Sequence, residues 1–111
     1  MEINHFTSLE KALEVIVVDE QDHVLLHHTL TPGEDVDKHY HPKVDEYLLL
    51  NSGRVVVSLE NATEEIAPIN EWVTIKFPAG KMHELRALEN TSYYVLRTGY
   101  DELIWKENPK T

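Results

Sequence analysis

The chain has 111 residues, 41% of them hydrophobic, with only four glycines and five prolines, which fits one globular domain and excludes collagen-like, low-complexity and disordered classes. Twenty acidic residues against ten basic ones give a formal charge of -10, so phosphate backbones and anionic membrane surfaces are repelled and neither nucleic acid nor membrane is expected as a partner. There is no cysteine, hence no disulfide framework and no thiolate zinc site, and the N-terminal stretch lacks a basic-then-apolar leader pattern, so a cytoplasmic protein is expected.

In chain order, Thr7 and Glu10 have capping-box spacing ahead of Leu9, Ala12 and Leu13, which predicts a short N-terminal helix over Ser8 to Leu13. Val15 to Val18 is apolar and β-branched, Asp19 to Asp22 reads as a polar turn, and Val24 to Thr31 alternates until Pro32-Gly33; two strands joined by a tight link are expected. Glu46 to Leu50 and Arg54 to Glu60 flank Asn51-Ser52-Gly53, where Gly53 can supply a positive φ, and this predicts a hairpin. A second hairpin is expected from Val73 to Phe77, which runs into Pro78-Ala79-Gly80, and Tyr93 to Thr98. Leu103 to Trp105 forms a last strand or packed tail. Short strands at regular spacing with turn residues between them predict an antiparallel sandwich or barrel.

Chemistry concentrates between Gly33 and Gly53. His39 and His41 are one residue apart, so on a strand they share a face with Cα atoms roughly 6 to 7 Å apart. Glu46 has the parity of Leu48 and Leu50 and so is expected to look inward, where an ionised carboxylate needs a positive partner. His83 follows the turn built on Pro78 and Gly80 and supplies a fourth group. Three neutral imidazoles and one carboxylate suit a single divalent transition metal ion, Fe, Mn, Ni, Co or Zn, with nitrogens at about 2.0 to 2.2 Å and positions left for water or substrate. A one-residue slip would put Asp45 in place of Glu46.

This pattern resembles the first motif of the cupin superfamily, G-x5-H-x-H-x4-E-x6-G, with every fixed position filled by Gly33, His39, His41, Glu46 and Gly53. The second motif, G-x5-P-x-G-x2-H-x3-N, is met by Pro78, Gly80 and His83, while Trp72 stands at its first glycine and Ala87 at its asparagine. Asn70 or Glu71 is left to serve the turn ahead of Val73. The resemblance implies an all-β fold, a cupin-type antiparallel β-barrel or jelly roll, formed by one domain over residues 1–111 with the short N-terminal helix attached. It also implies a mononuclear metal centre and a homodimer built through the outer strands.

Three further residues are candidate pocket groups. His28 shares a face with Val24, Leu26 and Leu30, whereas His27 points the other way; His5 and His23 read as solvated. On the late strand Tyr93, Val95 and Arg97 form one parity and Tyr94, Leu96 and Thr98 the other, and an inward Arg97 would anchor an anion or carboxylate through its planar fork. Tyr47 lies on a strand as well, and Trp72 and Trp105 are read as candidates for a subunit contact. Two functions from different classes follow. The first is an enzyme acting on a small oxygenated molecule, either a metal-dependent isomerase or epimerase or a dioxygenase, and the second is a non-catalytic metal or small-ligand binding or sensing module.

Overall fold

The computed structural model describes residues 2–19, 21–100 and 102–105. Its elements in chain order are β1 (Glu2–Phe6), α1 (Leu9–Glu14), β2 (Val24–Leu30), β3 (Asp35–Tyr40), β4 (Glu46–Leu50), β5 (Val55–Leu59), β6 (Ala62–Ile66), β7 (Trp72–Phe77), β8 (His83–Ala87), β9 (Thr91–Arg97) and β10 (Ile104–Trp105). The described residues are all-β apart from one short helix, and the strands make two five-stranded antiparallel sheets, ordered β1-β7-β4-β9-β2 and β10-β3-β8-β5-β6. Alternation along β4, β7 and β9 aims Leu48, Leu50, Val73, Ile75 and Val95 at Val55, Val57 and Leu85 of the other sheet, and together they form the main core. Each such side chain contributes roughly 1.5 to 3 kcal/mol by leaving water. The outer face of the first sheet carries a second apolar cluster, where Ala12 of α1 and the following Ile16 cover Leu49 and Leu96.

The helix begins one residue later than its predicted capping box. Ser8, not Thr7, is the N-cap, accepting a hydrogen bond from the Lys11 amide at 3.2 Å. Residues 15 to 18 are not a strand; Ile16 and Val18 lie on the outer cluster, while Val15 and Val17 face solvent. In the expected turn after them Asp19 accepts from the amides of Gln21 and Asp22, while Glu20 lies outside the described residues.

Neither expected hairpin forms. β4 pairs with β7 and β9, whereas β5 pairs with β6 and β8. The link through Gly53 therefore carries the chain from one sheet to the other rather than folding it back on its neighbour. Gly53 has the expected positive φ of 84°, and its position is crowded too, since a Cβ there would collide with the Thr91 side chain. β7 and β9 likewise do not pair with each other; β4 lies between them. The hairpin that does form joins β5 to β6 through Glu60 at φ 54°. Its second strand and β1, on the edge of the first sheet, are polar and mostly exposed, so neither carries the apolar alternation that marks a strand.

The two departures from the second motif are accommodated by backbone. Asn70 takes φ 54° before β7, which frees Trp72 to start the strand and pack on the outer cluster. Ala87 is fully buried, and its backbone exchanges hydrogen bonds with the 33–34 turn, donating to the Glu34 carbonyl and accepting from the Gly33 amide, both at 2.9 Å.

Candidate metal centre

Strand register brings the four singled-out groups together. His39 on β3 and His83 on β8 are directly opposite each other in the second sheet, and His41 follows just beyond the end of β3. From the facing sheet comes Glu46, the first residue of β4, flanked across the ladder by Arg97 on β9 and Phe77 on β7. His39, His41, Glu46 and His83 are all buried, at 6, 2, 3 and 4% exposure, and one donor atom from each lies within 4.8 Å of all the others. Adjacent ligands of an octahedral ion with bonds of about 2.1 Å are roughly 3 Å apart and opposite ones roughly 4.2 Å, so a contraction of about half an ångström brings this spread onto a single first-row metal.

Protonation follows from the hydrogen bonds. The Nδ1 atoms of His39, His41 and His83 lie 2.8, 2.9 and 3.1 Å from the backbone carbonyls of Asp37, Glu102 and Lys81. A carbonyl oxygen only accepts, so each Nδ1 carries a hydrogen and donates it, and each neutral ring is left with a bare lone pair on Nε2. Those lone pairs converge on the carboxylate. Nε2 of His83 is 3.0 Å from Glu46 Oε1, and Nε2 of His41 is 3.0 Å from Oε2. The His41 contact lacks hydrogen-bond alignment, which makes this the buried side-chain polar atom without a partner among the described residues. A buried acceptor facing a carboxylate is costly unless something positive stands between them. One proton relieves one such contact, whereas one cation relieves all four groups at once. The residues present therefore fit a divalent metal.

Charge around the cluster is arranged to keep Glu46 ionised. Burial pushes its carboxyl up, but His41 and His83, when either ring carries an Nε2 hydrogen and donates it, together with the Arg97 guanidinium, whose Nε donates to Oε2 at 2.8 Å, outweigh burial and hold it well below the ordinary carboxylate range. Burial also lowers the His39 pKa, which favours the neutral, ligating form. The Phe77 ring stacks on His83 with centroids 4.1 Å apart and planes 4° from parallel, fixing that ring's plane.

Asp45 is not the inward carboxylate. It accepts from the Ala79 amide at 2.9 Å and lies 3.7 Å from Lys76, so it braces the Pro78-Ala79-Gly80 turn that aims His83. The Gly80 amide adds a bond to the His41 carbonyl at 2.8 Å, tying this turn to the other histidine segment.

Beside the cluster lies a cavity of about 170 Å³. Its apolar wall includes Val36, Leu48, Phe77, Leu85, Val95 and Leu103, and besides the cluster its polar groups among the described residues are His28, Tyr93, Arg97 and the indole N–H of Trp105. The three candidate pocket residues are thus all at the cavity. His28 stands at its exposed rim, directly across the ladder from Tyr93, with the two rings stacked at 5.8 Å. Burial, reinforced by the Glu46 charge, raises the Tyr93 hydroxyl to about 12, so it remains a donor at neutral pH. Tyr47 and Leu96 face the outer cluster, and His5 and His23 are exposed. Trp105 is half-exposed but lines the cavity, its ring 5.2 Å from that of His39. Its place here was missed by sequence reasoning, because nothing local links residue 105 to residue 39; the two meet only through β10 pairing with β3.

No family model matches the chain and no curated protein does. Solved structures do. A cupin superfamily protein from Desulfitobacterium hafniense is 12% identical with TM-score 0.62, over 89% of this chain and 79% of that one. A sugar phosphate isomerase from the cupin superfamily of Silicibacter pomeroyi is 19% identical with TM-score 0.64, over 78% and 57%. An oxalate oxidase solved with the substrate analogue glycolate is 17% identical with TM-score 0.65, over 78% and 47%. The chain has the cupin fold.

Proposed function

We propose that His39, His41, Glu46 and His83 hold one divalent transition metal ion and that the protein is a metal-dependent enzyme acting on a small oxygenated molecule in the adjacent cavity. The observation that carries this reading is the set of three imidazoles whose Nδ1 hydrogens are all spent on backbone carbonyls, leaving Nε2 lone pairs gathered on one buried carboxylate. Histidines that ligate metals are oriented in this way by an outer partner on the other ring nitrogen. When bound, such an ion polarises an oxygen of the substrate and, if redox-active, activates dioxygen. The chain's own groups do the rest: Arg97 orients Glu46, the apolar wall excludes water, and the Tyr93 hydroxyl and the His28 ring face the substrate. Isomerisation or epimerisation and dioxygenation are both within this chemistry, and enzymes of both an isomerase and an oxidase kind are found on this fold. The same reading takes the two sheets as the halves of a jelly-roll barrel in a cytoplasmic, single-domain homodimer.

The test is elemental analysis of the purified protein followed by oxygen-uptake and sugar-epimerisation assays on the loaded protein. Iron with oxygen uptake identifies a dioxygenase, and nickel, manganese or zinc with epimerisation identifies an isomerase. Metal uptake with ligand-induced stabilisation but no turnover identifies a binding module instead. No stoichiometric metal overturns the proposal.

A further inference from the structure

Among the described residues Glu46 is the single acidic one on the cavity wall, and Arg97 pairs with it. Their charges cancel, so a divalent ion on the cluster leaves the cavity with its full double positive charge inside a protein of formal charge -10. A buried excess of that size favours an anionic ligand. Arg97 is also equipped to hold one. Its Nε is committed to Glu46, but among the described residues its two terminal amino groups have no partner, and the side chain is only 22% exposed. Two parallel donors from one planar guanidinium match the two oxygens of a carboxylate.

The rest of the wall limits what that carboxylate is attached to. Tyr93 is 4% exposed, and its hydroxyl has no hydrogen-bond partner among the described residues; with His28 stacked on it, this is a further polar end of the cavity, and the Trp105 indole N–H is the other donor among the described residues. Among the described residues no Ser, Thr, Asn, Gln or Asp side chain lines the space. A sugar would bring several hydroxyls against six apolar side chains, and each unmatched hydroxyl costs a hydrogen bond made in water. At about 170 Å³ the cavity is also small beside the roughly 300 to 1,000 Å³ of drug-sized sites. We infer that the ligand is a short-chain monocarboxylate with a second oxygen next to the carboxyl, a 2-oxo or 2-hydroxy acid with a small apolar remainder. Arg97 takes the carboxylate, Tyr93 donates to the neighbouring oxygen, and the remainder lies on Val36, Leu85 and Leu103.

This inference rests on the metal reading above, and calorimetry separates the two. Protein reconstituted with Mn(II) is titrated with 2-oxobutyrate, with its neutral amide 2-oxobutanamide and with D-xylose, the manganese content being measured on the same sample. The charge-assisted contact predicts that the acid binds about 10- to 100-fold more tightly than the amide and that xylose gives no detectable heat. In Arg97→Gln at full manganese content the preference for the acid collapses. Equal affinity for acid and amide in loaded wild-type protein, or tightest binding of xylose, overturns the inference while leaving the metal reading intact. Failure to take up manganese sinks the metal reading instead. The same titration on metal-free protein then decides the role of Arg97, since a surviving acid preference supports it and its absence refutes it.

Discussion

Glu46→Gln removes one charge and almost no volume from the centre of the cluster. In the metal-free protein the new amide oxygen still accepts from Arg97, so the strand register is kept, but the guanidinium loses the anion it pairs with. Breaking a fully buried ion pair costs about 3 to 5 kcal/mol. Arg97 is 22% exposed and retains a hydrogen bond, which reduces the expected cost to about 2 to 3 kcal/mol, or a drop in Tm of about 10 to 15 °C for a domain of this size. The acid limb should change too. The folded-state pKa of Glu46 lies below its ordinary value of 4.5, so the ionised group stabilises the fold above that pH and the contribution is lost as the pH falls below it. Thermal melts from pH 7 down to pH 3 should therefore show wild-type stability falling toward that of the variant. The comparison also extends to metal: an ion present at a thousand times its Kd raises wild-type stability by about 4 kcal/mol, and the variant should lose most of that rise. If Glu46→Gln melts like wild type at pH 7 and gains the same stabilisation from metal, the carboxylate is not where this reasoning puts it.

Asp45→Ala frees the turn that aims His83, and is expected to destabilise the fold by about 1 kcal/mol and to weaken metal retention by roughly tenfold, measured by competition with a chelator; unchanged retention would remove Asp45 from the account. Gly53→Ala must place a Cβ against Thr91 at φ 84° and should cost about 2 to 4 kcal/mol in chemical denaturation. Because burial holds the His39 pKa below its ordinary 6.5, protonating that ring opposes folding, so metal-free stability should decline as the pH falls below 6.5, and His39→Gln should flatten that part of the profile.

What could be read from the chain was mostly face and spacing. Glu46 shares parity with Leu48 and Leu50, and all three are buried between the sheets; the same rule placed His28 at the cavity. Partnership was another matter. A turn with a positive-φ glycine serves a hairpin and a crossing between sheets equally well, and Gly53 does the second. Which parity of the Tyr93 to Thr98 stretch faces inward was open until pairing with β4 set Arg97 beside Glu46. β1 and β6 went unseen because their exposed residues carry no alternation, and the β-branched run from Val15 to Val18 misled because only Ile16 and Val18 pack on a sheet, without joining it. Trp105 could be seen as a large exposed aromatic, but its contact with His39 belongs to long-range topology.

The claim on which everything else depends is that three imidazoles and one carboxylate meet on one cation. X-ray absorption spectroscopy of the metal-loaded protein tests it most directly. A first shell of nitrogen and oxygen at about 2.0 to 2.2 Å with the outer-shell scattering of three imidazoles is the predicted result, reduced to two in His83→Ala. A shell with one imidazole or none, or one that His83→Ala leaves unchanged, would contradict it.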